Sequence, residues 1–389
     1  MVHTKPQQNP SMVHGLRSTI SALRLSNFRN YADLNLHLDG RSVILTGANG
    51  AGKTNILEAI SLLSPGRGLR NAKMGELALA SSIKSGWSVV ADLTTPHTTH
   101  RIGTGTDSAA PRSKRLIQID EKKSAQTDLA EYCTIAWLTP AMDRLFVESR
   151  SERRRFLDRL VYAFYPVHLQ HIQALEKAQR ERLRLLSFGR IDQEWIGTLE
   201  RQIAENSISI SRARAEYIER LNDHIGQFGP DFPKLRLDLQ SKIWADIAAE
   251  GDNNAVSLLQ DRLKDSRERD RLVRSTREGA GRDDFTAFHI GKNRLAGDCS
   301  TGEQKIALIA IILGHSRLLI TEKRKTPILL LDELAAHLDD RHRAALANVI
   351  ENLGIQAFVS GADAALFGDW KSAQILAVQN AQITPITHS

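Results

Sequence analysis

The chain contains the octet Gly47-Ala48-Asn49-Gly50-Ala51-Gly52-Lys53-Thr54, which matches the phosphate-loop pattern G-x-x-x-x-G-K-[ST]. An apolar strand is predicted before it at residues 42–46, and an amphipathic helix after it at residues 55–63. Small residues let backbone N–H groups surround anionic phosphates at a helix N-terminus, where the helix dipole favours negative charge. In such loops the lysine binds the β- and γ-phosphates and the hydroxyl residue ligates Mg²⁺. The octet, with Asn55 directly behind it, therefore predicts a site for a nucleoside triphosphate and Mg²⁺.

A second motif lies far downstream. Residues 328–331 form a short apolar run without polar alternation, which predicts a fully buried parallel strand. Asp332 and Glu333 follow it, at the carboxyl edge of the sheet where doubly wound folds bind their ligands. We expect Asp332 to hold Mg²⁺ through water and Glu333 to act as general base, which with Lys53 completes the predicted catalytic set. The alternative is a carboxylate pair that only caps a core strand, and the phosphate loop in the same chain disfavours it.

Residues 300–304, Ser-Thr-Gly-Glu-Gln, open a predicted helix with an apolar face at Ile306, Ala307, Ile309, Ala310 and Leu313. They resemble the S-G-G-Q signature of ABC-type ATPases, in which the serine hydroxyl and glycine amide reach the γ-phosphate held by the opposite subunit. The resemblance places Ser300, Gly302 and Gln304 in an ATP site shared by two subunits. Ser300 and Glu303 also fit a helix capping box, and the two interpretations are compatible.

Composition indicates a soluble, cytoplasmic protein. The 389 residues suggest two lobes, and the hydrophobic content of 41% is enough for a real core. The longest apolar run, residues 306–313, is shorter than the roughly 20 residues of a membrane span, so no membrane partner is expected. The two cysteines give no disulfide framework and no metal-ligand spacing. The net charge of +7 favours a polyanionic partner.

The apolar pattern predicts an ATPase lobe that is split by a helical insertion. Period-two alternation predicts an antiparallel sheet in the first third, with a polar, turn-rich stretch at residues 94–115. Helical periodicity then predicts one long helix over residues 152–186 and a second helix with its N-cap at Asp192. Another basic helix is predicted near residues 254–278.

The expected fold class is α/β, an ABC-type P-loop ATPase lobe with a mixed sheet, a flanking antiparallel sheet and a mainly helical insertion. The predicted domains are a flexible leader at residues 1–19, the ATPase lobe at 20–150 and 279–389, and the insertion at 151–278.

A longer series of motifs resembles the bacterial RecF family. Its opening is residues 25–31, Leu-Ser-Asn-Phe-Arg-Asn-Tyr, followed by the phosphate loop and by residues 66–70, Gly-Arg-Gly-Leu-Arg. Its middle is residues 138–140 and 152–158, and its end is residues 281–284 with the signature and the Asp332-Glu333 strand. The resemblance covers most of the chain after residue 20.

The resemblance implies an ATP-dependent DNA-binding protein of recombinational repair. Such a protein acts at double-stranded or gapped DNA with RecR and RecO to load recombinase, forms a homodimer when ATP binds, and hydrolyses ATP slowly. Ser360, after the last core strand, stands where many ABC ATPases have a switch histidine and where RecF-like chains commonly have Thr or Ser. The predicted ATP site is completed by Arg29, Arg67, Asp339 and Ser360.

Arginines are the candidate DNA contacts. Arg153, Arg154, Arg155 and Arg159 span a helical turn and a half, and the alternative to DNA contact is a solvated or ion-paired face with Glu152 and Asp158. The next candidates are Arg267, Arg271 and Arg274.

Two other functions remain open from the sequence. One is a transporter ATPase subunit, which would need a membrane partner and usually a switch histidine. The other is a chromosome-organising SMC-like ATPase, which the short insertion disfavours.

Overall fold

The structure, a computed structural model, describes residues 17–81, 86–107, 115–187, 192–333 and 338–386. Most of the predicted leader at residues 1–19 lies outside the described residues. The chain divides into two compact units. The first, here the ATPase unit, comprises Met1–Asp143, Phe228–Phe232 and Leu308–Ser389, and the second, the helical unit, comprises Arg144–Gln227 and Pro233–Ala307.

The described strands are β1 (Thr19–Phe28), β2 (Tyr31–His37), β3 (Val43–Thr46), β4 (Ser88–Thr94), β5 (Thr99–Gly105), β6 (Leu116–Ile119), β7 (Lys122–Lys123), β8 (Ile135–Leu138), β9 (Leu235–Gln240), β10 (Asp284–His289), β11 (Arg294–Leu295), β12 (Ile328–Leu331), β13 (Ala357–Gly361), β14 (Gln374–Gln379) and β15 (Gln382–Pro385). The described α-helices are α1 (Lys53–Ser61), α2 (Leu129–Tyr132), α3 (Arg150–Phe164), α4 (Val167–Ser187), α5 (Gln193–Asn222), α6 (Lys242–Glu250), α7 (Asp252–Asp265), α8 (Arg267–Val273), α9 (Thr301–Leu318) and α10 (Asp340–Asn352).

A mixed sheet in the ATPase unit carries both nucleotide motifs. Its strand order is β15-β14-β3-β13-β12-β8, with parallel pairing from β14 to β8 and an antiparallel edge strand β15. All four residues of β3 and of β12 are buried, because parallel strands are covered on both faces and tolerate no polar side. The phosphate loop follows β3 and the Asp332-Glu333 pair follows β12, so both lie at the carboxyl edge of one sheet. The predicted mixed sheet is confirmed.

An antiparallel sheet forms the other layer of the ATPase unit, in the order β2-β1-β4-β5-β6-β7. Alternating residues of β4 are buried, as the period-two pattern predicts. Strand β5 lies within the stretch that was predicted as turns, so that part of the prediction is wrong. Its two glycines and four polar residues hide the alternation, and pairing with β4 and β6 supplies the stability that the propensity lacks.

Helices α3 to α8 and a small sheet, β11-β10-β9, form the helical unit. The single helix predicted over residues 152–186 is two helices, because α3 ends before Tyr165-Pro166 and α4 begins at Val167. Proline lacks the N–H that a continuous helix needs. Asp192 caps α5 as predicted, since its carboxylate accepts hydrogen bonds from the N–H groups of Glu194 and Trp195, both at 3.0 Å. Residues 188–191, between α4 and α5, lie outside the described residues.

The limits of the units differ from the predicted domain limits at 150/151 and 278/279. The helical unit begins at Arg144 and extends to Ala307, so the signature belongs to it. The reason is strand pairing: β10 pairs along its whole length with β9, which ties residues after 279 to the insertion.

Helix α9 passes from one unit into the other and is buried on nearly all sides rather than on one face. Among the described residues, Thr301–Lys323 is the one helix long and apolar enough to cross a membrane, with a mean hydropathy of 1.4. Because 89% of that window is buried, and core helices pass the same test, this is weak evidence for a span.

A fully buried arginine holds the helical unit together. The Arg182 guanidinium donates to Glu200 at 3.0 Å, to Asp270 at 2.8 Å and to the Leu263 carbonyl at 2.6 Å. Both carboxylates are at most 3% exposed, so the charges have little solvent to replace a lost partner. The cluster therefore joins α4, α5, α7 and α8 through buried ion pairs, in addition to the apolar core that α4, α5 and α7 share.

We expect Arg182→Met to lower the free energy of unfolding of the helical unit by about 3–5 kcal/mol, because the buried Asp270 would lose its nearest guanidinium partner and the buried Glu200 would keep only Arg267. Arg180→Ala in the same helix is the matched control, since its ion pair with Glu176 is exposed on both sides and should change stability by less than about 0.5 kcal/mol. Urea unfolding followed by circular dichroism measures both. Equal losses in the two variants would show that the buried cluster is not what holds these helices.

Candidate nucleotide-binding site

The phosphate loop lies between β3 and α1 with its lysine turned back onto the loop. Lys53 Nζ donates to the carbonyl oxygens of Gly47 at 2.7 Å and Ala48 at 2.9 Å. Gly47 has φ +145°, and a Cβ there would collide with the carbonyl oxygen of Val378 on the neighbouring β14. Gly52, with φ +117°, forms the turn into α1. The local sequence thus needs glycine at both ends of the loop, and Ala48, Asn49 and Gly50 between them are exposed.

Two residues of the β1–β2 turn support the loop from behind. Tyr31 is fully buried and its hydroxyl donates to the carbonyl of Gly52 at 3.2 Å. Asn30 accepts a 2.7 Å hydrogen bond from the Asn55 side chain and lies 3.4 Å from the Ala51 carbonyl. Burial raises the pKa of Tyr31 well above its usual range, so the hydroxyl remains a donor. These contacts were not predicted, although both residues belong to the motif at residues 25–31.

Arg29 was predicted to contact the nucleotide, and the structure gives it a different partner. Its guanidinium makes two hydrogen bonds, at 2.8 and 2.7 Å, to Glu58, a carboxylate of α1 that is fully buried. A third goes to the Glu76 carbonyl at 2.7 Å. Arg70 also reaches Glu58, at 3.3 Å, and donates to Asn55 at 2.8 Å. Because a buried carboxylate needs a cation, Arg29 serves the packing of α1 in this conformation.

The loop that carries Arg67 is fixed by long-range contacts. Arg115 donates to the carbonyls of Leu62 and of Gly66, the latter at 2.6 Å, at the carboxyl end of α1. Gln126 donates to the same Gly66 oxygen at 2.6 Å. Arg67 itself is exposed at the end of the loop, which is compatible with its predicted contact to the nucleotide. No local signal in the sequence could have identified Arg115, which is about fifty residues away from its partners.

Three hydroxyl and carboxyl groups meet at the edge of the sheet. Asp332 Oδ1 accepts hydrogen bonds from the hydroxyl of Thr54 at 2.9 Å and from that of Ser360 at 2.8 Å. Ser360 Oγ in turn accepts the N–H of Glu333 at 2.8 Å. Glu333 has φ +51°, a left-handed conformation that directs the chain away from the strand. The structure therefore brings together Thr54, Asp332, Glu333 and Ser360 as the two motifs predict.

This arrangement fits a magnesium ion bound with a triphosphate. Hydroxyl and carboxylate oxygens are the ligands that Mg²⁺ prefers, and it typically takes one or two carboxylates with phosphates and water. Thr54 and Asp332 would hold it on the protein side. Asp339, which was also predicted for the ATP site, caps α10 by accepting the N–H of His342 at 2.8 Å, and this contact and the His342 side chain lower its pKa.

The signature turn (residues 300–304) begins α9 in the helical unit. Ser300 and Gly302 are exposed, and a Cβ at Gly302 would meet no atom within 4 Å. Gln304 is buried, and its amide donates to the carbonyls of Cys299 at 2.9 Å and Gly297 at 3.2 Å. Its predicted nucleotide contact is therefore not available in this conformation, because the side chain closes the turn instead.

Several predicted DNA-contacting arginines are engaged inside the helical unit. Arg153 makes two hydrogen bonds to Asp284, at 2.8 and 2.7 Å, and Arg154 donates to the Asp283 carbonyl at 2.9 Å. Arg267 makes two to Glu200, at 2.9 and 2.6 Å. For these three the structure agrees with the ion-paired alternative, although the partners are Asp284, the Asp283 carbonyl and Glu200.

The other three arginines are exposed. Arg155 pairs with Glu152 and Arg271 with Glu268, each within one helical turn and open to solvent. Arg274, at the end of α8, has φ +50° and is also exposed.

The fold and the site define a P-loop ATPase of the SMC-like class. The family model described as "RecF/RecN/SMC N terminal domain" matches residues 19–384. Curated relatives named DNA replication and repair protein RecF are more than 40% identical over nearly the whole chain. The chain belongs to the RecF family, which favours that interpretation over a transporter subunit or a chromosome-organising ATPase.

Two of these relatives illustrate the degree of sequence similarity. The protein from Mesorhizobium japonicum is 43% identical over 372 residues, which cover 94% of this chain and 97% of the relative. That from Brucella abortus is 42% identical over 378 residues, covering 95% and 97%.

Solved structures show the same fold. One described as the recombination mediator protein RecF-ATPrS in the RecFOR pathway has a TM-score of 0.83 at 21% identity and covers 95% of this chain and 99% of its own. An Smc head domain from Pyrococcus furiosus has a TM-score of 0.54 at 16% identity, with 96% of each chain covered.

We expect Ser360→Ala to lower kcat for ATP hydrolysis about tenfold and to change the affinity for ATP less than threefold. The variant removes a donor to Asp332 and leaves the Glu333 N–H without its acceptor, a loss of about 1–3 kcal/mol in positioning. Steady-state ATPase assays and binding of a fluorescent ATP analogue measure the two effects. Ser372→Ala is the control, since that hydroxyl only meets the exposed Glu351. An unchanged kcat in Ser360→Ala would contradict the positioning role.

Proposed function

We propose that the chain is an ATP-dependent DNA-binding protein of DNA replication and recombinational repair. The names of its curated relatives support this, as does a site that has the parts of an ATP switch. The ligands are ATP and Mg²⁺. Residues 47–55 bind the triphosphate, with Lys53 leaving the loop carbonyls for the β- and γ-phosphates. Arg67 is the candidate for an additional contact from its exposed loop.

The exposed signature turn carries this proposal. Ser300 and the open Gly302 lie at the start of an 18-residue helix, where the positive end of the helix dipole suits an anion. In the proposed homodimer, these groups bind the γ-phosphate held by Lys53 of a second copy. ATP then joins the two copies because each nucleotide contacts both.

Hydrolysis reverses the association. Thr54 and Asp332 would hold Mg²⁺, which would neutralise the charge of the phosphates when it is bound. Glu333 accepts the proton of the attacking water, and Ser360 fixes the backbone of Glu333 and the carboxylate of Asp332 at once. Once the γ-phosphate has left, the contact with Ser300 is lost and the copies separate. The proposed rate of ATP hydrolysis is slow, so that it sets how long the dimer persists.

DNA is the proposed partner of the closed dimer. Two copies double any basic surface, and a net charge of +7 per chain favours contact with phosphates. We infer that binding is directed to the backbone of double-stranded or gapped DNA rather than to bases. Among the predicted arginines, the exposed Arg155, Arg271 and Arg274 are the candidates. The proposed partner proteins are RecR and RecO, and the proposed compartment is the cytoplasm.

We expect Glu333→Gln to lower the ATPase rate about 10²- to 10⁴-fold, since the variant keeps the shape but loses the general base. With ATP it should accumulate as a dimer that stays on DNA longer than the parent. Multi-angle light scattering after size exclusion, with ATP, ADP or no nucleotide, measures the mass with and without gapped DNA. Lys53→Met should lose ATP-dependent association and DNA binding.

The Ser300→Arg variant distinguishes dimerisation from nucleotide binding. It should bind ATP as the parent does and remain monomeric, because the bulky cation blocks the turn that faces the second copy. Dimerisation of Ser300→Arg at the parental ATP concentration would refute the shared site. A parental hydrolysis rate in Glu333→Gln would refute the role of Glu333 alone.

A triple variant with Arg155, Arg271 and Arg274 replaced by Ala should bind duplex DNA with a shallower salt dependence. Each lost phosphate contact removes about 0.9 from the slope of log K against log salt. Fluorescence anisotropy between about 50 and 200 mM salt measures the slope. Arg236→Ala is the control, an exposed arginine of the same unit that pairs with Asp238. A salt-dependence slope equal to the parent's would show that another surface of the protein contacts the DNA.

A further inference from the structure

The start of α9 contains an acidic side chain beside the proposed γ-phosphate site. Glu303 Oε2 accepts the N–H of Ser300 at 3.0 Å, and the N–H of Glu303 lies 3.4 Å from Ser300 Oγ. This reciprocal cap sets the orientation of Ser300. It also places a carboxylate three residues from the serine, in a turn that must accept a triphosphate. A free negative charge there would repel the ligand.

A lysine from the preceding hairpin neutralises that carboxylate. Lys292 Nζ forms an ion pair with Glu303 Oε1, and Lys292 and the Ser300 N–H together lower the pKa of Glu303 to about 2. The lysine is held in place by its own turn, since its N–H donates to His289 Nδ1 at 3.2 Å. Strands β10 and β11 pair on either side, with Phe288 opposite Leu295. Lys292 therefore lies in the ordered β10–β11 hairpin and not at a free chain end.

We propose that Lys292 is a positioning residue for the shared ATP site. It holds Glu303 on the capping side of the turn and cancels its charge, so that Ser300 and Gly302 remain open to the γ-phosphate of a second copy. The inference rests on the proposed function, because it assumes that ATP joins two copies through this turn. It adds the β10–β11 hairpin to the residues on which the dimer depends.

The proposal makes a double-variant prediction. Lys292→Ala leaves Glu303 unpaired next to the phosphates, so the ATP concentration for half-maximal dimerisation should rise about 3- to 10-fold. Lys292→Arg should restore the parental value. Glu303→Gln keeps a capping side chain without charge, and in that background the loss of Lys292 should change dimerisation less than twofold. ATP binding by the monomer, measured in Ser300→Arg with and without Lys292→Ala, should stay constant, because the hairpin acts only across the dimer.

Light scattering and the ATPase activity as a function of protein concentration measure these effects. The matched control is Arg212→Ala, which breaks an ion pair with Asp252 of similar exposure in the same unit. If the Lys292→Ala variant dimerises like the parent, the inference is overturned. It is also overturned if Lys292→Ala weakens dimerisation as much in the Glu303→Gln background as in the parent. A parent that does not dimerise with ATP overturns the proposed function itself, and the inference with it.

Discussion

One carboxylate oxygen joins the separate parts of the nucleotide site. Asp332 Oδ1 is nearly buried and accepts a hydroxyl from α1 and another from β13. A buried carboxylate without donors is costly, so the three segments must come into register before this group is satisfied. The same bonds fix where Mg²⁺ would be held and where Glu333 begins. Catalytic geometry and sheet assembly therefore depend on the same contact.

Two arginines of the helical unit form ion pairs in its interior. Arg182 and Arg214 are almost completely buried, and each bridges two carboxylates. In the second cluster Asp158 accepts both Arg214 and His168, and these partners keep the pKa of Asp158 far below its usual range despite its burial. The basic composition is thus a poor guide to a DNA surface. The arginines relevant to a DNA surface are those that remain exposed, rather than those paired with buried carboxylates.

Short-range patterns in the sequence predicted most of the ATPase unit. The octet at 47–54 and the apolar run before Asp332 each predict a strand, the turn after it and the ligand-binding residues within about ten positions. The two motifs lie close together because parallel strands end at the same edge of a sheet. The helix at Asp192 was predicted for a similar reason, because a capping carboxylate acts within three residues.

Most contacts that the sequence did not predict depend on partners elsewhere in the chain. The hydrogen bonds of Arg29 to Glu58 were not predicted, nor were those of the Gln304 amide to carbonyls of its own turn. Strand β5 has weak alternation and exists because its neighbours pair with it. The extent of the helical unit follows from the pairing of β9 with β10, which spacing along the chain does not reveal.

The position of β3 in its sheet has a consequence for how the chain folds as it is synthesised. Its two neighbours, β13 and β14, come more than 300 residues later, so the strand before the phosphate loop leaves the ribosome long before either partner exists. Pairings of such high sequence separation form slowly, and an unpaired apolar strand is prone to aggregate. During that interval the helical unit, which is built from one nearly continuous stretch, can complete itself first. A chain truncated before residue 357 would keep the whole octet and still lack the sheet that shapes it.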